Sequence, residues 1–436
     1  MFRPTGFADL AGKRVGIFGY GVEGRATQRR LVGLCESLVI VDDAPDLGDD
    51  VLVTDRGGLE ALRRCDVVLK SPGIPRRRHD VLDLERRGVV VTSALNLWLH
   101  DVDRSRVVAV TGTKGKSTTT ALVTFFLQCV DERALRLGNI GQPPYDPDVD
   151  TTQGWLVVEV SSFQCVDIDV APGHVLVTSL GEDHLDWHGS VKAYRDDKLS
   201  LTRAAGTHQT LVPDTALFHE LAHQLGGDVT FVAPDTSSIP ESLGLLGAHS
   251  RSNVAMALHC VAMLTGLDPV DVADRVIARA PQFDPLPGRL TLVATERVGD
   301  AMLRFIDDGL ATSVLPTIAA LEVFADDAVA LIAGGFDRGV DYEPLALAIA
   351  ARSAMTVLLS IGPAGQRLGE ALARRRPDIV HEHVPDMRGA VEGARVALPR
   401  GGVVLLSPAA PSFDLYRNWE ERSADFTRLV RATSPA

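Results

Sequence analysis

The stretch VVAVTGTKGKSTTT, Val107 to Thr120, constrains this chain more than any other. A continuous β-branched run leads into Gly112-Thr113-Lys114-Gly115-Lys116-Ser117 and then into STTTALVTFFL, a helix-forming sequence. Such a run reads as a buried strand, and glycines followed by lysine and a hydroxyl read as a phosphate loop that opens a helix. The general pattern G-x-x-x-x-G-K-[ST] asks for a glycine five residues before Gly115, where the chain has Val110. Gly112 is the nearer glycine, so the loop is a shortened form. Backbone N–H groups at the start of the helix favour an anion there. Lys116 can reach the β- and γ-phosphates of a nucleotide, and the hydroxyl of Ser117 or Thr118 can ligate Mg²⁺. A plain surface turn does not fit between that strand and that helix.

Strand–helix alternation surrounds this loop and implies an α/β fold built on parallel sheets. A first segment carries RVGIFGYG, SLVIVDD, CDVVLKSPG and GVVVTS. Its first turn is Gly19-Tyr20-Gly21-Val22-Glu23-Gly24, a G-x-G-x-x-G after a strand, with Asp42 ending the next strand. This is the dinucleotide fingerprint, and equally what a nucleotide-diphosphate site on such a fold would carry. A second segment begins near Arg104 and holds the phosphate loop, WLVVEVSS ending near Glu159, and a long stretch, SRSNVAMALHCVAMLTG, expected to be amphipathic. A third restarts the alternation around Leu290, after the proline-rich Pro281–Arg289, the expected hinge. At 436 residues the chain exceeds one ordinary core. Three domains are expected: a Rossmann-like domain over 1–100, a phosphate-loop domain over 101–288 and a second Rossmann-like domain over 289–436.

Composition narrows the partners. A net charge of −13 disfavours a sequence-independent nucleic-acid surface. The most basic patch, Arg76-Arg77-Arg78, reads as a solvated loop. No apolar run approaches the roughly 18 residues of a membrane span, and the N-terminus lacks a secretory h-region. Five scattered cysteines suit a reducing cytoplasm and no disulfide framework. The remaining polar candidates are Glu159 at a strand end, where an acid can hold a hard cation, and Glu182-Asp183-His184-Leu185-Asp186 beyond another strand. Taken alone, His184 is as readily structural as ligating, and Lys198 reads as a surface lysine.

Four stretches, GTKGKSTTT, VVEVSSFQ, SLGEDHLDWHGSVKAYRDDK and LLSPAAPSFDLYRNWEERSADF, resemble the Mur ligase family in content and order. The resemblance covers the whole chain and is strongest to members that join glutamate to UDP-N-acetylmuramoyl-L-alanine. It implies an ATP-dependent ligase of peptidoglycan precursor synthesis, acting as a cytoplasmic monomer. It assigns Gly112, Thr113, Lys114, Gly115, Lys116, Ser117 and Thr118 to the ATP phosphates, with Asn253, Arg289 and Asp308 addressing the rest of the nucleotide. Gly19, Gly21, Val22, Asp42 and Ser71 would hold the UDP end, and Asn139 and Ser161 the sugar-peptide. Ser117 and Glu159 would hold one Mg²⁺, His184 and Lys198 a second. An ammonium cannot ligate a cation, and the family converts such a lysine to a carbamate with CO₂. Lys116, Glu159, His184 and Lys198 are therefore the implied catalytic set, and Thr312, Arg338, Ser412 and Trp419 the glutamate pocket.

The sequence departs from the family pattern on the ATP-to-glutamate side. One asparagine of HN..N is lost at His249-Ser250, HR appears as Gly288-Arg289, and NDSKATN appears as Asp307-Asp308-Gly309-Leu310-Ala311-Thr312-Ser313. In GG.DKG.DF the lysine is Arg338. An arginine fork anchors a carboxylate differently from a lysine point charge. The pattern is similar to the branch that adds L-glutamate and works with a separate epimerase; D-glutamate is the alternative. Outside the family, an NAD-dependent oxidoreductase rests on G-x-G-x-x-G and leaves the phosphate loop idle. A nucleotide switch leaves the metal residues idle, and SPAAPSFD disfavours a folylpolyglutamate-type ligase.

Overall fold

Short β-branched runs form three open sheets in the computed structural model, which describes residues 2–139, 141–206 and 208–432, the side chains of Leu185, Asp186 and Ala248 excepted. The first contains β1 (Arg14–Phe18), β2 (Ser37–Asp42), β3 (Val51–Val53), β4 (Val67–Lys70) and β5 (Val90–Thr92). All pairs are parallel, in the order β3-β2-β1-β4-β5. The winding reverses between β1 and β4, so the crevice of a doubly wound sheet opens beyond Phe18 and Lys70, which are register partners.

The second sheet is also all parallel: β6 (Val107–Thr111), β7 (Ala134–Gly138), β8 (Trp155–Glu159), β9 (His174–Val177), β10 (Gln209–Pro213) and β11 (Asp228–Val232). Its order, β11-β10-β9-β6-β8-β7, sets β6 between β8 and β9. Every residue of β6 is buried, as its unbroken apolar sequence requires.

The third sheet pairs β12 (Thr291–Val298) antiparallel with β13 (Ala301–Asp307). It continues in parallel through β17 (Gly402–Leu406), β14 (Val329–Gly334), β15 (Thr356–Ile361) and β16 (His381–Val384).

The chain divides into two compact units. One is Met1–Thr236 with Arg251–Arg279, the other Ser237–Ser250 with Ala280–Ala436. The first unit holds two sheets on one continuous apolar core, in which Ile17 and Leu69 join Ala109 and Val158. The helix Ala94–Asp101 explains the merger. Residues 94–99, ALNLWL, are all buried, five of the six are apolar, and Asn96 is satisfied by Ser93, Thr92 and Asp169, so the helix is covered on every side. The same physics corrects the expectation of an amphipathic stretch. The helix Ala248–Thr265 buries Val254, Ala255, Met256, Ala257, Cys260 and Val261, so apolar contact surrounds its middle. Among the described residues no single helix is long and apolar enough to cross a membrane.

Candidate active site

The phosphate loop leaves β6 through Gly112 at φ 145° and enters the helix Lys116–Cys129 through Gly115 at φ 86°. Both need glycine: a Cβ at Gly112 would lie 2.1 Å from Thr178 Oγ1, and one at Gly115 2.6 Å from Asn253 Oδ1. The loop is laced to the end of β9. Thr113 N–H donates to the Ser179 carbonyl at 2.8 Å and Lys114 N–H to Ser179 Oγ at 2.8 Å. Lys116 folds back over its own turn, donating to the carbonyls of Gly112 (2.9 Å) and Thr113 (3.1 Å). Ser117 is buried and Thr118 half-buried in the helix's first turn.

Glu159 ends β8 beside this loop, in register with Val110. Its side chain is 1% exposed; Oε1 accepts from Asn139 Nδ2 at 3.1 Å, and Oε2 has no hydrogen-bond partner among the described residues. A buried carboxylate oxygen left unpaired is costly, and a cation would relieve it.

Taken alone Lys198 reads as a surface lysine, but the structure buries it to 1% exposure on the helix Val191–Leu199. Its Nζ donates to the Gly112 carbonyl at 2.9 Å and lies 5.0 Å from the Tyr194 ring centre. Burial first, and the nearby Lys116 charge second, lower its ammonium pKa to about 7. Tyr194 from the same helix donates its hydroxyl to Thr113 Oγ1 at 2.9 Å, so two side chains tie this helix to the loop. His184 is exposed at φ 49°, its ring 4.9 Å from Phe163. Asn253 is buried against Gly115, with Nδ2 unpartnered among the described residues. Ser161 forms a capping box with Gln164 at the short helix Ser162–Cys165.

At the first sheet's crevice, Gly19 (φ 98°) and Ser71 meet, Ser71 Oγ donating to the Gly19 carbonyl at 2.6 Å. Asp42 accepts the Tyr20 N–H at 2.6 Å and the Ala44 N–H at 2.8 Å, which fixes the glycine turn. Gly21 caps the helix Val22–Leu31, and Val22 is exposed at its start.

Sequence reasoning missed the groups that join these two sites. Glu23, raised in pKa by burial, accepts from Tyr145 at 2.9 Å and Gln164 at 2.7 Å. Every arginine of the run Arg76-Arg77-Arg78 is ion-paired, although Arg77 stays exposed. Arg76 pairs with Glu85 and, at 3.5 Å, with Asp167; Arg77 grips Asp197 at 2.6 and 2.7 Å; Arg78 pairs with Asp43 at 2.9 Å and Asp80 at 2.8 Å. Most of these acids are distant in sequence, so no local signal reveals the pairing.

In the second unit the remaining candidates gather at the ends of β13, β14 and β17. Asp308 follows β13 and accepts from Ser407 Oγ at 2.7 Å; burial pushes its carboxyl up to about 7, with Arg289 nearby opposing. Arg289 and Thr312 are half-buried and Ser412 is buried. Trp419 opens the helix Trp419–Ala432 and packs on Gly288, where a Cβ would stand 2.6 Å from its ring. Arg338 is exposed over the Phe413 ring at 5.8 Å. Two unforeseen groups frame the set. Buried Arg422 donates to the carbonyls of Ala410 (3.0 Å) and Gly309 (3.1 Å), and Asp307 accepts the N–H groups of Gly288 and Gly309. Among the described residues there is no cluster of three or more His, Cys, Asp or Glu side chains fit to hold a metal by themselves.

Comparison with known proteins follows this geometry. Residues 110–215 match the Mur ligase middle domain. A UDP-N-acetylmuramoyl-L-alanine–L-glutamate ligase of Micromonospora sp. is 38% identical, with 98% of each chain covered. A UDP-N-acetylmuramoylalanine–D-glutamate ligase of Symbiobacterium thermophilum is 30% identical over 97% of this chain and 98% of its own. Among solved structures, a UDP-N-acetylmuramate-alanine ligase from Thermotoga maritima matches in fold with a TM-score of 0.54 at 16% identity, covering 97% of this chain and all of that one. Loop, flanking sheet and full-length likeness agree: the chain belongs to the Mur ligase family of ATP-dependent, amide-bond-forming enzymes.

Proposed function

We propose that the enzyme joins L-glutamate to UDP-N-acetylmuramoyl-L-alanine, with residues 1–100 holding the UDP end, 101–288 the ATP and 289–436 the glutamate. The observation that carries the phosphoryl step is the convergence on one short loop of Lys116, the half-satisfied buried Glu159 and the buried Lys198. The alanyl carboxylate attacks the γ-phosphate of ATP, ADP leaves, and an acyl phosphate forms. The glutamate amine then attacks the acyl carbon and phosphate departs. Positioning and charge neutralisation dominate such a transfer, so Lys116 and the loop N–H groups carry most of it.

The buried, unpaired Glu159 Oε2 supports a Mg²⁺ site beside the loop. Ser117 and Glu159 Oε2 would take one ion, and His184 with a carbamylated Lys198 a second. Bound there, Mg²⁺ would neutralise charge on the transferring phosphate. A Lys198 pKa of about 7 supports the carbamate, because only the neutral amine adds CO₂. Asn253, Arg289 and Asp308 are assigned to adenine, phosphate and ribose; Gly19, Gly21, Val22, Asp42 and Ser71 to the UDP; and Asn139 and Ser161 to the sugar-peptide.

The preference for L-glutamate rests on the pocket of Thr312, Arg338, Ser412 and Trp419. Arg338 offers a guanidinium fork without an ion-pair partner among the described residues, and Leu310 stands where the family motif has a cation. Relocated carboxylate anchors are what an enantiomer switch requires, and a separate epimerase would then act on the product. The Micromonospora relative's name supports this reading. Incubation with ATP, Mg²⁺, UDP-N-acetylmuramoyl-L-alanine and each glutamate enantiomer separately tests it. Product mass and phosphate release are expected with L-glutamate; turnover with D-glutamate alone overturns the assignment.

A further inference from the structure

The loop that follows β4 runs from the UDP side of the first sheet to the helix that carries Lys198. Its start is fixed by Ser71, bonded to the Gly19 carbonyl, and its end by Arg78, paired with Asp43 and Asp80. Between them Arg77 reaches out of the first sheet and places both terminal nitrogens on the two oxygens of Asp197, at 2.7 and 2.6 Å. Two parallel charge-assisted bonds fix direction as well as distance. Asp197 is 6% exposed and immediately precedes Lys198.

A second contact continues the line. Asp197 Oδ2 lies 2.7 Å from His188 Nδ1, and His188 Nε2 lies 3.0 Å from Ser162 Oγ. Ser162 opens the short helix three residues beyond Glu159. Asp197 is thus held from three elements: by Arg77 from the UDP-side loop, by His188, and through His188 by the segment that follows β8. On its other flank the helix Val191–Leu199 reaches the phosphate loop through Tyr194 on Thr113 Oγ1 and Lys198 on the Gly112 carbonyl.

We infer that Arg77 is a positioning residue for the ligation: by clamping Asp197 it sets the helix that carries Lys198 and braces the phosphate loop, so a residue of the UDP-side loop acts on the ATP end. Arg77 acts through Asp197 and not by touching phosphate or UDP. Its side chain is 56% exposed, so its removal leaves no cavity in the core. It would, however, leave a buried carboxylate with only an imidazole to face, and the helix is free to shift. Small displacements of a reacting group are costly to rate, up to about 100-fold for roughly 1 Å. The inference rests on the functional reading above.

The test compares wild type, Arg77→Ala and Arg77→Lys as full chains, with kcat and KM for each substrate, Mg²⁺-ATP affinity by calorimetry, and thermal unfolding. The expected pattern is a fall in kcat of about tenfold or more in Arg77→Ala and a rise of a few-fold in the Kd for Mg²⁺-ATP. The KM for UDP-N-acetylmuramoyl-L-alanine stays within about twofold, and Arg77→Lys lies between, since lysine restores charge without the fork. Should Arg77→Ala unfold, a lowered kcat in folded Arg77→Lys still supports the role, and an undiminished one overturns it. A kcat and Mg²⁺-ATP affinity in folded Arg77→Ala equal to wild type overturn it. So does a defect confined to the KM of the UDP substrate, which would make Arg77 a direct ligand. Wild type inactive with either glutamate enantiomer refutes the proposed function instead, and the Mg²⁺-ATP titration still decides Arg77: equal affinity in wild type and Arg77→Ala refutes the clamp.

Discussion

Lys116 and Lys198 both donate to the Gly112 carbonyl, one from the loop's own helix and one from the helix Val191–Leu199. Lys116 lies at the helix start, half-buried, over the carbonyls of its own turn. It can swing onto phosphate without crossing the core. Lys116→Ala is expected to lower ATP-dependent ligation by at least 100-fold, the scale of deleting one preorganised charge from a water-excluded site. Calorimetric binding of UDP-N-acetylmuramoyl-L-alanine should persist, because that substrate is assigned to the first sheet. Loss of both in a folded variant would contradict the assignment. In the second unit, Asp308 offers a pH test. Its folded pKa of about 7 exceeds the unfolded value of about 4, so the native state binds more protons between them. The associated stabilisation is fully present below about pH 4 and is lost as pH rises through about 7. Asp308→Asn cannot ionise, so its Tm should gain on wild type between about pH 4 and pH 7, where the two states differ in bound protons. A Tm difference that stays constant over that interval would show that Asp308 ionises normally.

Elements place these residues through close backbone approaches that only glycine allows. The helix Val22–Leu31 starts so near the end of β1 that a Cβ on Gly24 would meet the Gly19 carbonyl at 2.2 Å. Gly21, by contrast, has nothing within 4 Å and an ordinary φ of −73°. Gly24→Ala should therefore destabilise by about 1–3 kcal/mol, the usual cost of overpacking, while Gly21→Ala keeps close to wild-type stability. Chemical denaturation of both variants checks this, and equal losses would mean that the turn itself, not helix–strand packing, requires glycine. The same contrast shows what was legible beforehand. G-x-G-x-x-G and the phosphate loop are local in sequence, and the central strands are continuous β-branched runs. Edge strands such as β11 (DVTFV) and β16 (HEHV) carry polar residues on their open side and lack that signature. The pairing of Arg77 with Asp197, 120 residues away, needs the fold before it can be seen. Lys198 taken alone reads as a surface residue for the same reason: the Gly112 carbonyl that it meets lies 86 residues away.

At the scale of the whole chain the two units have separate cores. In one, Ile17, Trp98, Ala109 and Val158 belong to a single cluster spanning two sheets; in the other, Leu331, Leu345, Leu358 and Leu405 pack on the third sheet. A protein built this way does not unfold as one two-state system. Two calorimetric transitions are expected, and each can be labelled. Leu331 lies on β14, whose six residues are all buried, and is itself 0% exposed. Leu331→Ala should cost about 2–5 kcal/mol through lost burial and a residual cavity, and lower the transition of the C-terminal unit alone. UDP-N-acetylmuramoyl-L-alanine should raise the other transition, because a ligand stabilises the unit that binds it by RT ln(1 + [L]/Kd), about 2.7 kcal/mol at 100-fold Kd. The two sheets of the first unit share their core, so that transition should stay single even when the ligand occupies only the first sheet. If Leu331→Ala lowers the same transition that the UDP substrate raises, the units fold as one. If ligand splits the first transition in two, the shared core of the first two sheets does not make them a single cooperative body.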